Sequence, residues 1–154
     1  MAENKKIKNA TKNTVDGINF KSRLEAMIYK TLKEQGFNVE YEPKKFIIWK
    51  GYIPTVPFYD KDHKTGLLKP NRDKLIDMTY TPDFCFDYGN LFVIVEAKGL
   101  ENDRFPIKKK LFRKSLEEWK TPVIYFEIYS KKQLLQAIEI IKNYEQDKSN
   151  QRDA

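Results

Sequence analysis

The stretch YTPDFCFDYGNLFVIVEAKG, residues 80–99, constrains the fold more than any other part of this 154-residue chain. Apolar-rich runs stand on both sides of Gly89-Asn90, a dipeptide that favours a two-residue turn between antiparallel strands. If the residues that flank this turn pair with each other, the same register places Asp83 directly opposite Glu96. Cross-strand neighbours lie ~5 Å apart at their Cβ atoms. The segment therefore predicts a β-hairpin that carries two carboxylates side by side.

A lysine and a backbone oxygen accompany the two carboxylates. Side chains alternate along a strand, so Lys98 shares the face of Glu96, and the carbonyl of Ala97 lies between them. Adjacent carboxylates repel unless something positive binds between them, and Mg²⁺ prefers oxygen ligands. A neighbouring lysine can orient or help deprotonate an attacking water, and it can offset charge in the transition state. The pattern predicts a metal-dependent site for phosphodiester hydrolysis.

Each of these residues also has a simpler interpretation on its own. Pro82 precedes Asp83, which would then only terminate a strand, and Glu96 with Lys98 would be an ordinary ion pair. Together these interpretations leave the repulsion between the two acids unexplained. We therefore favour the metal site.

The first helix is predicted to begin after Ser22, a good N-cap, and to run to about Gln35 before Gly36 ends it. Glu25 has two interpretations within that helix. The spacing Ser22-x-x-Glu25 is that of a capping box, in which the glutamate reaches back to the Ser22 amide. Glu25 could alternatively supply a third carboxylate from a helix packed on the hairpin. The spacing leaves both interpretations open.

Further strands and helices are predicted on both sides of the hairpin. FNVEYEPKKFIIW is typical of one or two strands, and residues 50–74 are predicted to form a polar excursion whose β-ribbon turns at DHKTG. Downstream, we expect a second helix from Pro106 to about Trp119 with Ile107, Leu111 and Leu116 inward, a strand in TPVIYFEIYS, and a last helix capped by Ser130. This order predicts an α/β sandwich around a mixed central sheet flanked by helices.

The chain length fits one domain, which we place at residues 16–145 between a flexible basic arm (1–15) and a disordered tail (146–154). The lone cysteine, Cys85, excludes an intrachain disulfide and a zinc site built from cysteines. The lone histidine, His63, disfavours mechanisms that need a histidine pair. The apolar runs are too short to span a membrane, so we expect a cytoplasmic protein with no membrane partner.

The net charge of +7 at pH 7, with a pI near 9.3, is typical of proteins that bind polyanions. Cations concentrate in the N-terminal arm and between Arg104 and Lys120, where seven stand against two acids. Our candidates for phosphate contacts are Lys5, Lys6, Lys8, Lys12, Lys108, Lys109, Arg113 and Lys114. The alternative explanation of the downstream cluster is a solvated helix face.

No base-recognition module is evident in the sequence, which favours recognition of nucleic-acid shape over recognition of sequence. Tyr52, Phe58 and Tyr59 in the excursion could stack on bases exposed at a branch point. Packing of the same aromatic residues against the body of the protein is the alternative.

In the order SRLE, YEPKKF, YTPDF and VEAKGL, followed by a basic segment, about residues 18–115 resemble the PD-(D/E)XK nuclease superfamily. The resemblance is closest to the phage Holliday-junction resolvases of the endonuclease I type. It implies a restriction-endonuclease-like fold in which Glu25, Asp83 and Glu96 bind metal. It assigns catalysis to these three acids together with Lys98, and it implies Mg²⁺ as the metal, with Mn²⁺ able to substitute.

The resemblance also implies a homodimer that resolves four-way DNA junctions by paired nicks, leaves 5′-phosphates and needs no small-molecule cofactor. A phage origin would place this work in the host cytoplasm. The excursion at 50–74 and the hairpin look longer than in the smallest members of that family. Three alternatives stay open: a sequence-specific or mismatch-directed nuclease of the same fold, a catalytically inactive DNA-binding protein on a nuclease scaffold, and an RNA-directed nuclease.

Overall fold

The structure, a computed structural model, describes residues 13–99 and 105–152, with side chains through residue 144. Within these ranges ten strands and three helices follow in chain order: β1 (Thr14–Val15), β2 (Ile18–Asn19), α1 (Arg23–Glu34), β3 (Glu40–Tyr41), β4 (Phe46–Trp49), β5 (Tyr59–Lys61), β6 (Leu68–Pro70), β7 (Met78–Tyr80), β8 (Phe84–Tyr88), β9 (Leu91–Ala97), α2 (Phe105–Leu116), β10 (Val123–Ile128) and α3 (Lys131–Arg152). Residues 1–12 of the predicted basic arm lie outside the described residues.

The central sheet has four strands in the order β10-β9-β8-β3. β9 runs parallel to β10 and antiparallel to β8, and β3 is antiparallel to β8, so the sheet is mixed. Three smaller antiparallel pairs accompany it, formed by β1 with β2, β4 with β7, and β5 with β6.

Both faces of the central sheet are covered by apolar layers. Side chains alternate along β9, so successive residues of this strand pack into opposite layers. Val93 and Val95 are buried on the side of α1 and α3. Ile94 faces the opposite layer, where Phe112 of α2 and Phe46 of β4 form a second apolar cluster. The protein is therefore an α/β sandwich around a mixed central sheet, and the predicted fold class is confirmed.

Cys85 belongs to this second layer, where it pairs across the hairpin with Ile94. Only 3% of its surface is exposed. Burial raises the pKa of its thiol to about 12, because an apolar environment disfavours the thiolate.

α1 begins and ends where the sequence predicts. The side chain of Ser22 caps the helix by accepting a hydrogen bond from the backbone N–H of Glu25 at 3.1 Å. Gln35 is the C-terminal cap, and Gly36 follows with a φ of +86°, in the left-handed region that glycine tolerates best.

Leu111 and Leu116 of α2 pack against the second apolar cluster, as predicted, but Ile107 does not. Ile107 is 59% exposed, whereas Phe105 and Phe112, seven residues apart on one helix face, are buried. The Phe112 ring packs against the rings of Phe46 and Tyr80, with centroid distances of 5.3 and 4.6 Å. The prediction for Ile107 was wrong because these aromatic partners, which come from distant strands, set the rotation of the helix.

α3 continues to Arg152, through most of the segment at 146–154 that we predicted to be disordered. Leu134, Ile138 and Ile141 anchor its first turns in the core. Once those turns are docked, each added residue gains a hydrogen bond without a further cost of nucleation. The backbone over residues 146–152 is therefore helical, in contrast to the prediction.

The excursion spans residues 50–77, between β4 and β7, and contains the predicted ribbon. β5 and β6 pair antiparallel, and Asp62 organises the turn at DHKTG by accepting the N–H of Lys64 at 2.8 Å. Of the helices described, none combines the length and apolar content needed to cross a bilayer.

Candidate active site

The hairpin of β8 and β9 has the predicted register. Tyr88 pairs with Leu91 at the turn, and the ladder continues to Phe84 opposite Val95. Beyond that pair, Asp83 and Glu96 continue the alignment through side chains rather than through ladder hydrogen bonds. The predicted register is confirmed, and it brings the Asp83 and Glu96 side chains to the same end of the hairpin.

Each of the two acids accepts a hydrogen bond from a backbone N–H of the opposite chain segment, and we call this reciprocal arrangement the clasp. The N–H of Asp83 donates to Glu96 Oε2 at 3.2 Å, and the N–H of Ala97 donates to Asp83 Oδ2 at 2.8 Å. On the other side, the Asp83 carbonyl accepts the N–H of Glu42 at 2.7 Å. The position of Asp83 is therefore fixed from β9 and from the loop after β3, which pre-organises its carboxylate.

Lys98 lies beside Glu96, as the alternation of side chains predicts. Its Nζ is 3.3 Å from Glu96 Oε1, and only 7% of the residue is exposed. The ammonium stands over the ring of Phe105, 2.7 Å from the centroid, so the start of α2 covers the lysine. The backbone N–H of Lys98 donates to the Ile128 carbonyl at 2.8 Å and ties this end of β9 to β10.

The charges at the site are unbalanced, because the single lysine pairs with the buried Glu96, and a second acid, Asp83, lies half-buried beside them. Burial, and then the charge of Glu96, raise the pKa of Asp83 to about 7. Burial also raises the pKa of Glu96, while Tyr80 and Lys98 oppose that increase. Each acid therefore resists ionisation unless another positive charge is brought to the site.

Glu25 is held at the start of α1. Its Oε1 accepts the Ser22 hydroxyl at 3.0 Å, and its Oε2 accepts the N–H of Lys21 at 3.2 Å and the Tyr41 hydroxyl at 2.7 Å. The capping box is present, with the Lys21 amide in place of the predicted Ser22 amide. The charge of Glu25 contributes to the raised pKa of Asp83, although less than burial does.

The three predicted metal ligands with side chains are not gathered into one cluster. Within residues 13–99 and 105–144, no three His, Cys, Asp or Glu side chains lie close enough to hold an ion together. The reason is that Tyr41 and the helix cap retain the carboxylate of Glu25. The paired acids Asp83 and Glu96 are the part of the predicted ligand set that the fold brings together.

The chemistry of this pair fits a divalent cation. One carboxylate oxygen of Asp83 and one of Glu96 each accept a hydrogen bond from a backbone N–H across the hairpin. Among the described residues, no hydrogen bond occupies Asp83 Oδ1, and Glu96 Oε1 meets Lys98. A site with an excess of negative charge, an open oxygen on Asp83 and a second carboxylate beside it suits Mg²⁺. The Ala97 carbonyl stays a predicted ligand.

A family model described as "Protein of unknown function (DUF1064)" matches residues 5–133, which is most of the chain. The chain belongs to this family. No curated protein matches the chain. The DUF1064 match spans the clasped acids, Glu25, Lys98 and α2, so every element of the site lies within the family's range.

The structure of this DUF1064 chain also reveals site residues that sequence reasoning missed. Glu127 on β10 is the register partner of Glu96, so Asp83, Glu96 and Glu127 form a row across three strands. Lys109 of α2 lies 2.7 Å from Glu127 Oε1, as an ion pair rather than a directed hydrogen bond. The alternation in VIYFEI marks the face of Glu127, but no sequence signal gives the register of a parallel pair.

Two tyrosines complete the wall behind Glu96. The hydroxyls of Tyr80 and Tyr125 are 3.4 Å apart, and Tyr80 is buried. The negative charge of Glu96 adds to the burial that raises the pKa of both tyrosines, so both hydroxyls stay protonated as donors. Tyr80 lies in the YTPDF word, but its sequence position alone does not show that β7 turns it toward β9.

The predicted phosphate-binding cations differ in whether the structure describes them and in how exposed they are. Lys5, Lys6, Lys8 and Lys12 lie outside the described residues. On α2, Arg113 and Lys114 are exposed and Lys108 is half-buried. Lys109 is instead directed to Glu127 on the sheet. Phe105, which covers Lys98, is the first residue of α2, and the exposed cations Arg113 and Lys114 lie in its last turn.

Proposed function

We propose that the protein is a metal-dependent endodeoxyribonuclease that resolves Holliday junctions and other branched DNA by paired nicks. The observation that carries this proposal is the clasp between Asp83 and Glu96, with Lys98 buried beside them. Structural ion pairs place one cation against one anion. Here two acids face each other with a single lysine, which is an arrangement that a dication completes.

The residues divide the work of hydrolysis among them. Asp83 and Glu96, with the Ala97 carbonyl, would hold Mg²⁺, and when bound it polarises the phosphodiester and lowers the pKa of its water. Lys98, fixed by Glu96 and Phe105, is positioned to orient the attacking water and to offset charge on the phosphate. Glu25 acts as a further ligand when its carboxylate leaves the Tyr41 hydroxyl.

Binding would come from charge and shape rather than from base recognition. The exposed cations of α2 contact phosphates near the site, and the lysines of the N-terminal arm add a second clamp. The resemblance to phage resolvases supports branched DNA as the substrate, a homodimer as the active form, and the host cytoplasm as its location. A symmetric dimer would present one site to each of two opposing strands.

A cleavage panel tests this function. A four-way junction, a linear duplex and a supercoiled plasmid are each incubated with Mg²⁺ or with EDTA, and we expect junction cleavage in Mg²⁺ alone. Asp83→Asn and Lys98→Met should abolish cleavage while electrophoretic shifts show that junction binding survives. Asp87→Asn is the matched control, because Asp87 is an exposed carboxylate on β8, the strand that Asp83 directly precedes.

The outcomes separate the alternatives. Cleavage of the linear duplex at one fixed sequence would replace junction resolution by sequence-specific cutting. Full activity in Asp83→Asn would remove the site assignment. Binding of junctions by the wild-type chain without any cleavage in Mg²⁺ or Mn²⁺ would identify an inactive nuclease scaffold.

A further inference from the structure

Exposed apolar side chains concentrate in and beside the excursion. Fourteen large apolar residues are exposed among those described, and ten of them lie between residues 47 and 76. We call these ten the excursion surface: Ile47, Tyr52, Ile53, Val56, Phe58, Tyr59, Leu67, Leu68, Leu75 and Ile76. Both strands of the ribbon are exposed along their whole length. The aromatic residues that we considered for packing on the body of the protein are therefore not buried by it.

The excursion is held by specific contacts at its base. The N–H of Gly51 donates to Asp77 Oδ1 at 2.7 Å, and the N–H of Leu75 donates to the Tyr52 carbonyl at 2.9 Å. A Cβ at Gly51 would lie 2.0 Å from the Leu75 carbonyl oxygen, so the two chain segments meet as closely as glycine allows. The exposed apolar side chains are thus carried on an ordered support.

A two-stranded ribbon of this kind is marginal in water without a partner. The ten side chains are 42–78% exposed. Aromatic side chains bury ~150–250 Å² when fully enclosed and aliphatic ones less, so the exposed parts of these ten side chains sum to on the order of 1,000 Å² per chain. That sum is comparable with the ~800 Å² that each partner contributes to a standard protein interface.

The chemistry of the surface indicates a protein partner rather than DNA. Its most exposed members are aliphatic, including Val56, Leu68 and Ile76, and such side chains neither pair with phosphates nor stack on bases. Residues 47–76, which carry the surface, contain three aspartates among six lysines and arginines. Charges of both signs around an apolar centre are typical of a protein interface, whereas a phosphate-binding surface is consistently basic.

We propose that the excursion surface binds the same surface on a second copy of this chain. The inference rests on the proposed function, because paired nicks need two sites and a two-fold axis supplies them by bringing one patch against its own copy. Such self-pairing buries the apolar residues of both chains at once. It also gives the excursion a partner that residues 13–99 and 105–144 of its own chain do not provide.

The test is the oligomeric state of the full chain in solution. Light scattering coupled to size exclusion, without DNA or metal, should give twice the 18.3 kDa of one chain. The double variant Leu68→Lys/Ile76→Lys should give one chain mass, because a lysine at the centre of the interface resists desolvation. Both positions are more than 75% exposed, so circular dichroism should show an unchanged fold.

A matched control places the same charges elsewhere. Leu135→Lys/Ile140→Lys changes two half-exposed apolar residues on α3 and should leave the dimer intact. A wild-type chain that is monomeric at every concentration tested would overturn the inference. A dimer that survives Leu68→Lys/Ile76→Lys, or one that Leu135→Lys/Ile140→Lys dissociates equally, would also overturn it.

Failure here is distinguishable from failure of the proposed function. Dissociation does not touch the clasp of Asp83 and Glu96, so the monomeric variant should still nick one strand of a junction in Mg²⁺ and lose paired cleavage. A dimer that cleaves no DNA would remove the nuclease and leave the interface supported. Cleavage by a monomeric wild-type chain would retain the nuclease and remove the interface.

Discussion

Asp83 experiences two effects that oppose its ionisation, burial and the charge of Glu96, and together they move its pKa from 3.8 to about 7. A carboxyl whose pKa is raised in the folded state stabilises the fold most at a pH where it is protonated in both the folded and the unfolded protein. This stabilisation is complete below about pH 4, and it is lost as the pH rises to about 7. Ionised Asp83 is therefore a destabilising group in the metal-free protein at neutral pH.

Asp83→Asn tests this linkage because it removes the charge and keeps an acceptor for the Ala97 N–H. In EDTA at about pH 8 we expect the free energy of unfolding of the variant to exceed that of the wild type by on the order of 2 kcal/mol, so that the variant unfolds at a higher temperature. The difference should shrink as the pH falls toward about 4. Thermal unfolding of both proteins across this range measures it, and a difference that does not vary with pH would contradict the assigned pKa.

At the scale of one element, α2 combines two tasks on different faces. Phe105 and Phe112 bury its inner face against the sheet, and Lys109 pairs with Glu127. Arg113 and Lys114, in its last turn, are exposed. The helix can therefore offer cations to a polyanion without exposing its apolar face.

We expect Arg113→Gln/Lys114→Gln to weaken junction binding and to flatten its salt dependence. Loss of two phosphate contacts should reduce the slope of log K against log salt by ~2. Lys131→Gln/Lys132→Gln is the matched control, because it removes the same charge from exposed positions at the start of α3. Fluorescence anisotropy over a salt series measures both slopes. Equal slopes for the two variants would mean that the outer face of α2 faces solvent and makes no specific contacts with phosphates.

Local sequence patterns predicted those elements whose contacts are local. The N-cap at Ser22, the stop at Gly36 and the Gly89-Asn90 hairpin each depend on neighbouring residues, so the sequence specifies them. The hairpin register then placed Asp83 beside Glu96, which made half of the candidate site predictable.

Contacts between distant segments could not be predicted in the same way. Glu127 meets Glu96 only through the parallel pairing of β10 with β9, and the rotation of α2 is set by aromatic residues of β4 and β7. Tyr41, which retains Glu25, reaches it from β3. Hydrophobic alternation gives the face of a strand but not its neighbour, so these partners required the fold.

At the scale of the whole molecule, the sandwich encloses one thiol behind the site. Cys85 is the sole cysteine of the chain, and burial both blocks it and keeps it protonated. Its reaction with a chromogenic disulfide should be at least ~10³-fold slower than that of a free thiol, because the fold must open first. Labelling in rising urea measures this, and a native rate equal to the denatured rate would contradict the burial.

The rate at which the buried thiol is labelled therefore reports how often the protein opens. Because Cys85 lies directly across from Ile94, two residues from Glu96, its labelling reports separation of the very strands that hold the acids. A ligand that joins those strands should lower the labelling rate of Cys85, whether or not any DNA is cut.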